Sequence, residues 1–177
     1  MSRSRVRAVA LLLSFSVAVG FRFTTFARDF EAAAPAGISA RLSFPFVPDP
    51  EITSGSLCTP ENPDFDRYRY KERIPYCRRN VSSRMKDAVY RRYGVSLHCK
   101  SEYTIDHFIP LSLGGTNEFN NLWPEPKSIK ALRKNLEFDL YKRLSSGKIT
   151  QAEAVREIIH AKMNPPVADP GAFEFCR

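Results

Sequence analysis

An aspartate followed directly by a histidine, Asp106-His107, is the pair in this chain best suited to chemistry. The sequence around it orders a strand, the Asp-His pair, a loop closing in Gly114-Gly115-Thr116-Asn117, Asn121, a short strand and a lysine-rich helix. An acid, an imidazole and an amide would converge in so compact a unit. Phosphodiester hydrolysis makes three demands: a water stripped of its proton, a cation opposite the developing phosphorane charge, and in-line geometry. A neutral imidazole accepts a proton at neutral pH, which makes His107 the candidate general base. A carboxylate binds Mg²⁺ or a similar hard cation that keeps several waters, which makes Asp106 the candidate metal ligand. Asn121 is placed to brace the glycine loop and orient the imidazole, or alternatively to face substrate. Adjacent side chains on a strand point to opposite faces, so the pair requires a bend, and Ile109-Pro110 supplies a departure from regular strand. His98 and His160 belong to no such constellation and are read as structural. Leu122 and Trp123 are expected in the core rather than as a base-stacking platform. Arg67, Tyr68, Arg69 and Tyr70 are expected to form a surface ribbon rather than a grip on nucleic acid.

The elements that must hold these residues follow from periodicity. Met85, Ala88, Val89 and Tyr93 share a helical face between Ser82 and Gly94, so a helix is expected there. Tyr103 and Ile105 alternate into Asp106-His107 as a strand, and Asn121-Leu122-Trp123 reads as the return strand, ended by Pro124 and Pro126. From Lys127, Ile129, Leu132, Leu136, Leu140 and Leu144 recur at helical spacing and predict one long helix closed by Gly147. Thr150-Gln151-Ala152-Glu153 is a capping box that opens a last helix running towards Pro165. The stretch from Asp66 to Lys71 is open between a short strand and irregular chain.

The rest of the chain sets the context. Arg3, Arg5 and Arg7 precede an apolar run from Ala8 to Phe21, the pattern of a secretory signal, so residues 1–20 are read as a signal peptide or, alternatively, a membrane anchor. Residues 21–56 carry Pro45, Pro48 and Pro50 and are read as a Pro/Ala-rich linker, leaving 57–177 as one domain. Loss of residues 1–20 removes three arginines and no acid, so the formal charge falls from +8 to +5 and the chain stays basic. With 43% apolar and 26% charged residues, wholesale disorder, collagen-like repetition and a multi-span membrane protein are poor readings. Cys58, Cys77, Cys99 and Cys176 are too widely spaced for a zinc knuckle, and an exported chain meets oxidising conditions, so disulfides are expected. Three connectivities are open; the one expected is Cys58–Cys77 with Cys99–Cys176, the second tying down the C-terminus. Secreted or periplasmic localisation follows, with an anchor facing outward as the alternative.

The central cluster as a whole resembles the HNH endonuclease family of the ββα-metal class. The resemblance is carried by Ile105-Asp106-His107-Phe108-Ile109-Pro110, by Gly114-Gly115-Thr116-Asn117 and by Asn121-Leu122-Trp123-Pro124-Glu125. It is strong from Tyr103 to Leu140, and the segment from Cys58 to Tyr93 is similar to that of exported bacterial members. It implies an α+β fold with a ββα-metal hairpin–helix core and additional flanking helices. It also implies one divalent metal ion, Mg²⁺ or another, with Asp106 as ligand, His107 as the base that activates water, and Asn121 as the loop-bracing amide. The family's third signature residue is a His or Asn on the helix, and nine residues after Asn121 this chain has Lys130. An ammonium has no lone pair to give a metal, so the site would use fewer ligands, or recruit Glu125 or Asn135, while Lys130 would contact a phosphate. The expected activity is endonucleolytic hydrolysis of DNA, or of RNA, with little sequence preference. Lys127, Lys130, Arg133 and Lys134 would grip the backbone of the substrate. Two other readings are a nucleic-acid-binding module weakened in catalysis and a metal-independent phosphoesterase built on His107.

Overall fold

The computed structural model describes residues 42–176, so the expected signal peptide, 1–20, and residues 21–41 of the linker lie outside it. Two antiparallel hairpins and four helices organise the described chain: β1 (Phe65–Arg69) pairs with β2 (Ile74–Cys77), and β3 (Tyr103–His107) with β4 (Leu122–Pro126). The helices are α1 (Ser83–Arg92), α2 (Lys127–Ala131), α3 (Leu136–Ser145) and α4 (Gln151–Met163). The class is α+β. Among the described residues no helix is long and apolar enough to cross a membrane.

Local chemistry explains most boundaries. The Ser82 side chain accepts from the Met85 amide to start α1, and Gly94 at φ +67° follows its end. The Thr150 and Glu153 side chains satisfy each other's backbone amides at the start of α4, as the capping box predicts. Two expectations need correction. Pro124 and Pro126 do not end the return strand but lie inside β4, opposite Ile105 and Tyr103. This hairpin has only two strands, so a proline N that cannot donate meets no partner strand on the open edge of β4. The single helix expected from Lys127 to Leu144 is broken into α2 and α3, with Asn135 left-handed at φ 66°. Asn tolerates that conformation, and the break lets α2 hold Lys130 near β3 while α3 independently buries Leu140 and Leu144. Leu132, counted towards the apolar stripe, is 40% exposed at the break.

Two apolar clusters support the β3–β4 hairpin and its loop. Val89, Tyr90, Val95, Cys99, Tyr103, Ile105 and Leu122 pack together, which joins α1 to one face of β3–β4. Ile74, Ile109, Leu113, Leu140, Leu144, Ala154 and Ile158 form the other, joining β2 and the loop after β3 to α3 and α4. Trp123 is fully buried, as expected of a core residue. The domain boundary expected at 57 also shifts, because residues 42–56 pack against the domain rather than tethering it. Val47 and Thr53 are buried, Phe44 joins the α1 cluster, and Phe46 meets Phe173 and Phe175 edge-on. Thr53 Oγ1 donates to the Leu122 carbonyl at 3.0 Å. The prolines forbid regular elements here, but the apolar side chains between them still gain by burial.

The disulfides pair as expected, Cys58 with Cys77 and Cys99 with Cys176, with Cα separations of 5.7 and 5.5 Å. Such bonds persist in oxidising, extracellular-type compartments. They close loops of 19 and 77 residues and stabilise the fold by about 2–4 kcal/mol each.

Candidate functional site

His107 is the last residue of β3, and the chain departs there under the control of Asn121. The Phe108 amide donates to the Asn121 carbonyl at 2.8 Å. The Asn121 side chain, fully buried, accepts from the Ile109 amide and donates to the Ile109 and Thr116 carbonyls, all at 2.9 Å. One amide thereby ties both ends of the Gly114-Gly115 loop, the role expected of Asn121. It touches the loop rather than an open substrate face. Gly115 is required by this closeness: a Cβ there would collide with the Ile109 carbonyl and crowd the Asn121 amide. Gly115→Ala is therefore expected to cost about 3 kcal/mol of stability by overpacking. Chemical unfolding followed by Trp123 fluorescence checks this, and an unchanged midpoint would mean that the loop does not approach Ile109 so closely.

The imidazole of His107 is held in one tautomer. Asn117 Nδ2 donates to Asp64 Oδ2 at 2.9 Å and to the Arg78 carbonyl at 2.7 Å, both acceptors only. Asn117 Oδ1 is then the atom facing His107 Nε2 at 3.1 Å, so Nε2 carries the proton. The Nδ1 lone pair faces the Arg79 guanidinium at 3.4 Å, a group that only donates. Burial pushes the His107 pKa below its ordinary value, and the charges of Arg79 and Lys162 add to this against the opposing pull of Asn117 and Asp106. His107 is thus a neutral base at neutral pH with one nitrogen held and the other turned towards an exposed arginine. Asp64, Arg79 and Asn117 were not singled out in the sequence. Asn117 stands in the Gly-Gly-Thr-Asn turn, while Asp64 and Arg79 come from the β1–β2 region with no spacing to mark them.

Asp106 points elsewhere. The register of β3 is regular, so His107 shares a face with Ile105 and Tyr103, and Asp106 takes the opposite face. There Asp106 Oδ1 accepts from Lys130 Nζ at 2.6 Å and Oδ2 from Lys162 Nζ at 2.7 Å. Lys162 is fully buried and also donates to the His107 carbonyl at 2.7 Å and to Glu137 Oε1 at 3.0 Å. Glu125, diagonal to Asp106 across β3–β4, binds Arg133, and its Oε2 lies 3.6 Å from Lys130 Nζ. Burial would raise the Asp106 pKa, but the ammonium groups of Lys162 and Lys130 outweigh it and hold the carboxyl well below the usual range. Glu125 is pushed up to about 7, first by burial and then by the charge of Asp106. Three carboxyl groups, those of Asp106, Glu125 and Glu137, meet three cations, Lys130, Arg133 and Lys162, in this network.

The expected metal does not suit this arrangement. Both Asp106 oxygens are taken by ammonium groups, and the helical position expected to give a ligand is a cation. The one carboxylate oxygen there that is buried without a hydrogen-bond partner is Glu125 Oε2. A hard divalent ion would have to displace charges that are already neutralised, one of them on the fully buried Lys162. Among the described residues the one grouping of three His, Cys, Asp or Glu donors is His98, Cys99 and Cys176, and there the two sulfurs are joined to each other. A disulfide offers no thiolate, so only the His98 imidazole remains as an ordinary ligand.

The four expected phosphate contacts separate into two kinds. Lys127 and Lys134 are exposed, whereas Lys130 and Arg133 are drawn towards Asp106 and Glu125. Lys162 and Glu137 were missed altogether. The signal for Lys162 lay in α4, where Ala154, Ile158 and Lys162 share one fully buried stripe and a lysine takes the place of an apolar residue. No family model matches the chain, and it has no match among curated proteins or solved structures.

Proposed function

We propose that the chain is an exported phosphodiesterase acting on nucleic acid, with His107 as the general base and Arg79 as the cation that meets the phosphate. The observation that carries this reading is the fixed imidazole: Nε2–H is spent on Asn117, which leaves the Nδ1 lone pair beside a guanidinium. An incoming phosphodiester would draw Arg79 off the ring by a bidentate contact; a water between them would give its proton to Nδ1 as its oxygen bonds to phosphorus, while the P–O bond to the leaving nucleotide oxygen breaks and that oxygen takes a proton from solvent. The imidazolium so formed is stabilised through Asn117 by the Asp64 carboxylate. Asn121 contributes by holding the loop that carries Asn117. Asp106 serves this scheme as an anchor, because the lysine that binds it also binds the His107 carbonyl. Export is supported by the two disulfides and by the N-terminal pattern.

Incubation of the full chain with supercoiled plasmid tests the scheme, in Mg²⁺ and in chelator. Nicking is expected in both, and Arg79→Ala is expected to slow it by about 10²-fold, the scale of losing one positioned transition-state donor. Cleavage that chelator abolishes would overturn the assignment of the cation to Arg79. A second reading, a nucleic-acid-binding module without turnover, is favoured by one observation, the saturation of Asp106 by two ammonium groups. Binding with no nicking under either condition would select it.

A further inference from the structure

The break between α2 and α3 leaves a concave surface of about 510 Å³ whose walls include Lys127, Lys130, Arg133, Lys134, Asn135 and Phe138. Its one acid, Glu137, is drawn inward to Lys162. Phe138 is 59% exposed, the most exposed large apolar side chain among the described residues. Tyr141 lies beside it, with ring centroids 6.3 Å apart, and Lys142 Nζ sits 5.4 Å from the Phe138 centroid. Exposed Leu132 stands on the same connection. A core helix has no use for a phenylalanine in water, and a solvated basic face has no use for aromatic rings.

Together the two features fit one chemistry. A polyanion that also carries flat apolar rings is complementary to lysines interleaved with exposed aromatics. A duplex offers phosphates but keeps its base faces stacked, so Phe138 would gain nothing from it. We propose that this surface is a binding site for an unpaired nucleic-acid strand, with one base stacked on Phe138 and neighbouring phosphates on Lys127, Lys134 and Lys142. The proposal rests on the phosphodiesterase reading and names the form of substrate that it favours. A protein partner fits less well, because lysine is among the residues depleted from interface centres, and here lysines surround the ring. An anionic membrane fits less well because the site is concave, whereas an inserting helix presents a continuous apolar face.

The test uses the full chain carrying His107→Ala, to prevent cleavage, with a fluorescein-labelled oligothymidylate and a duplex of equal length. Adding Phe138→Ala is expected to weaken single-strand binding by about 5- to 150-fold, the range for loss of one base–aromatic stack, and to leave duplex binding within about twofold. Adding Phe138→Trp instead should keep the affinity, with the new indole quenched on strand binding. Equal loss on both oligonucleotides, or no loss on either, overturns the proposal. So does Phe138-dependent binding to phosphatidylglycerol vesicles without preference for the strand, or self-association that Phe138→Ala abolishes. If the wild-type chain still nicks plasmid while Phe138→Ala binds strands normally, only this inference fails. If the chain neither binds nor cleaves any nucleic acid, the functional reading fails and this one with it.

Discussion

Replacement of Lys162 by alanine is expected to destabilise the fold by about 3–5 kcal/mol, the scale of removing one partner from a buried ion pair. The side chain is fully buried and is the common donor to Asp106, the His107 carbonyl and Glu137. Its loss leaves the Asp106 carboxylate buried with one ammonium in place of two, and leaves a buried strand-end carbonyl without this donor. Lys130 is the control, since it contacts the same carboxylate from a side chain that is 41% exposed. Lys130→Ala is expected to cost no more than about 1 kcal/mol, as for solvent-screened pairs. Urea unfolding followed by Trp123 fluorescence compares the two, and similar losses would show that burial does not set the strength of these bonds. The double variant Lys162→Met with Asp106→Asn should recover part of the loss, because the charge left unpaired by the first change is removed by the second.

That contrast shows what the sequence could and could not reveal. Elements stabilised by their own neighbours were legible: α4 through its capping box, α1 through Ser82 and Gly94, and β3 through the alternation of Tyr103 and Ile105. The loop-bracing role of Asn121 was legible too, because it rests on a residue five positions from Thr116 and twelve from Ile109. The partners of the Asp-His pair were not. Lys162 lies 56 residues beyond Asp106, and Arg79 lies 28 before His107, and no periodicity spans such gaps. The opposite directions of Asp106 and His107 were foreseeable from the two-residue repeat of a strand, and the expected bend after His107 comes too late to reverse them. The prolines of β4 misled because the rule against proline in sheets concerns strands paired on both sides. The apolar stripe through Leu132 misled because helical periodicity does not register a single left-handed residue at Asn135.

His107→Ala is expected to lower plasmid hydrolysis by about 10²- to 10⁴-fold, the usual contribution of a positioned general base, measured well below the unfolding transition because loss of the buried ring also costs stability. The pH profile carries the sharper content. The base works only when Nδ1 is free, so turnover should rise with pH through the folded-state pKa of His107 and then level. Burial chiefly, with Arg79 and Lys162, depresses that pKa, so the rise should centre below the ordinary histidine value of 6.5. Arg79→Ala removes one depressing charge and should move the rise to higher pH even as it lowers the plateau. The same shift bears on stability. Below 6.5 the unfolded chain takes up the proton that the folded chain refuses, so this residue's contribution weakens as pH falls through that window. NMR titration of the imidazole in wild type and in Arg79→Ala measures both pKa values directly. A His107 pKa above 6.5 in the wild type would mean that the ring is not held away from water, and one that Arg79→Ala leaves unmoved would mean that the guanidinium does not face Nδ1; under either result the arrangement on which proton transfer depends would be lost.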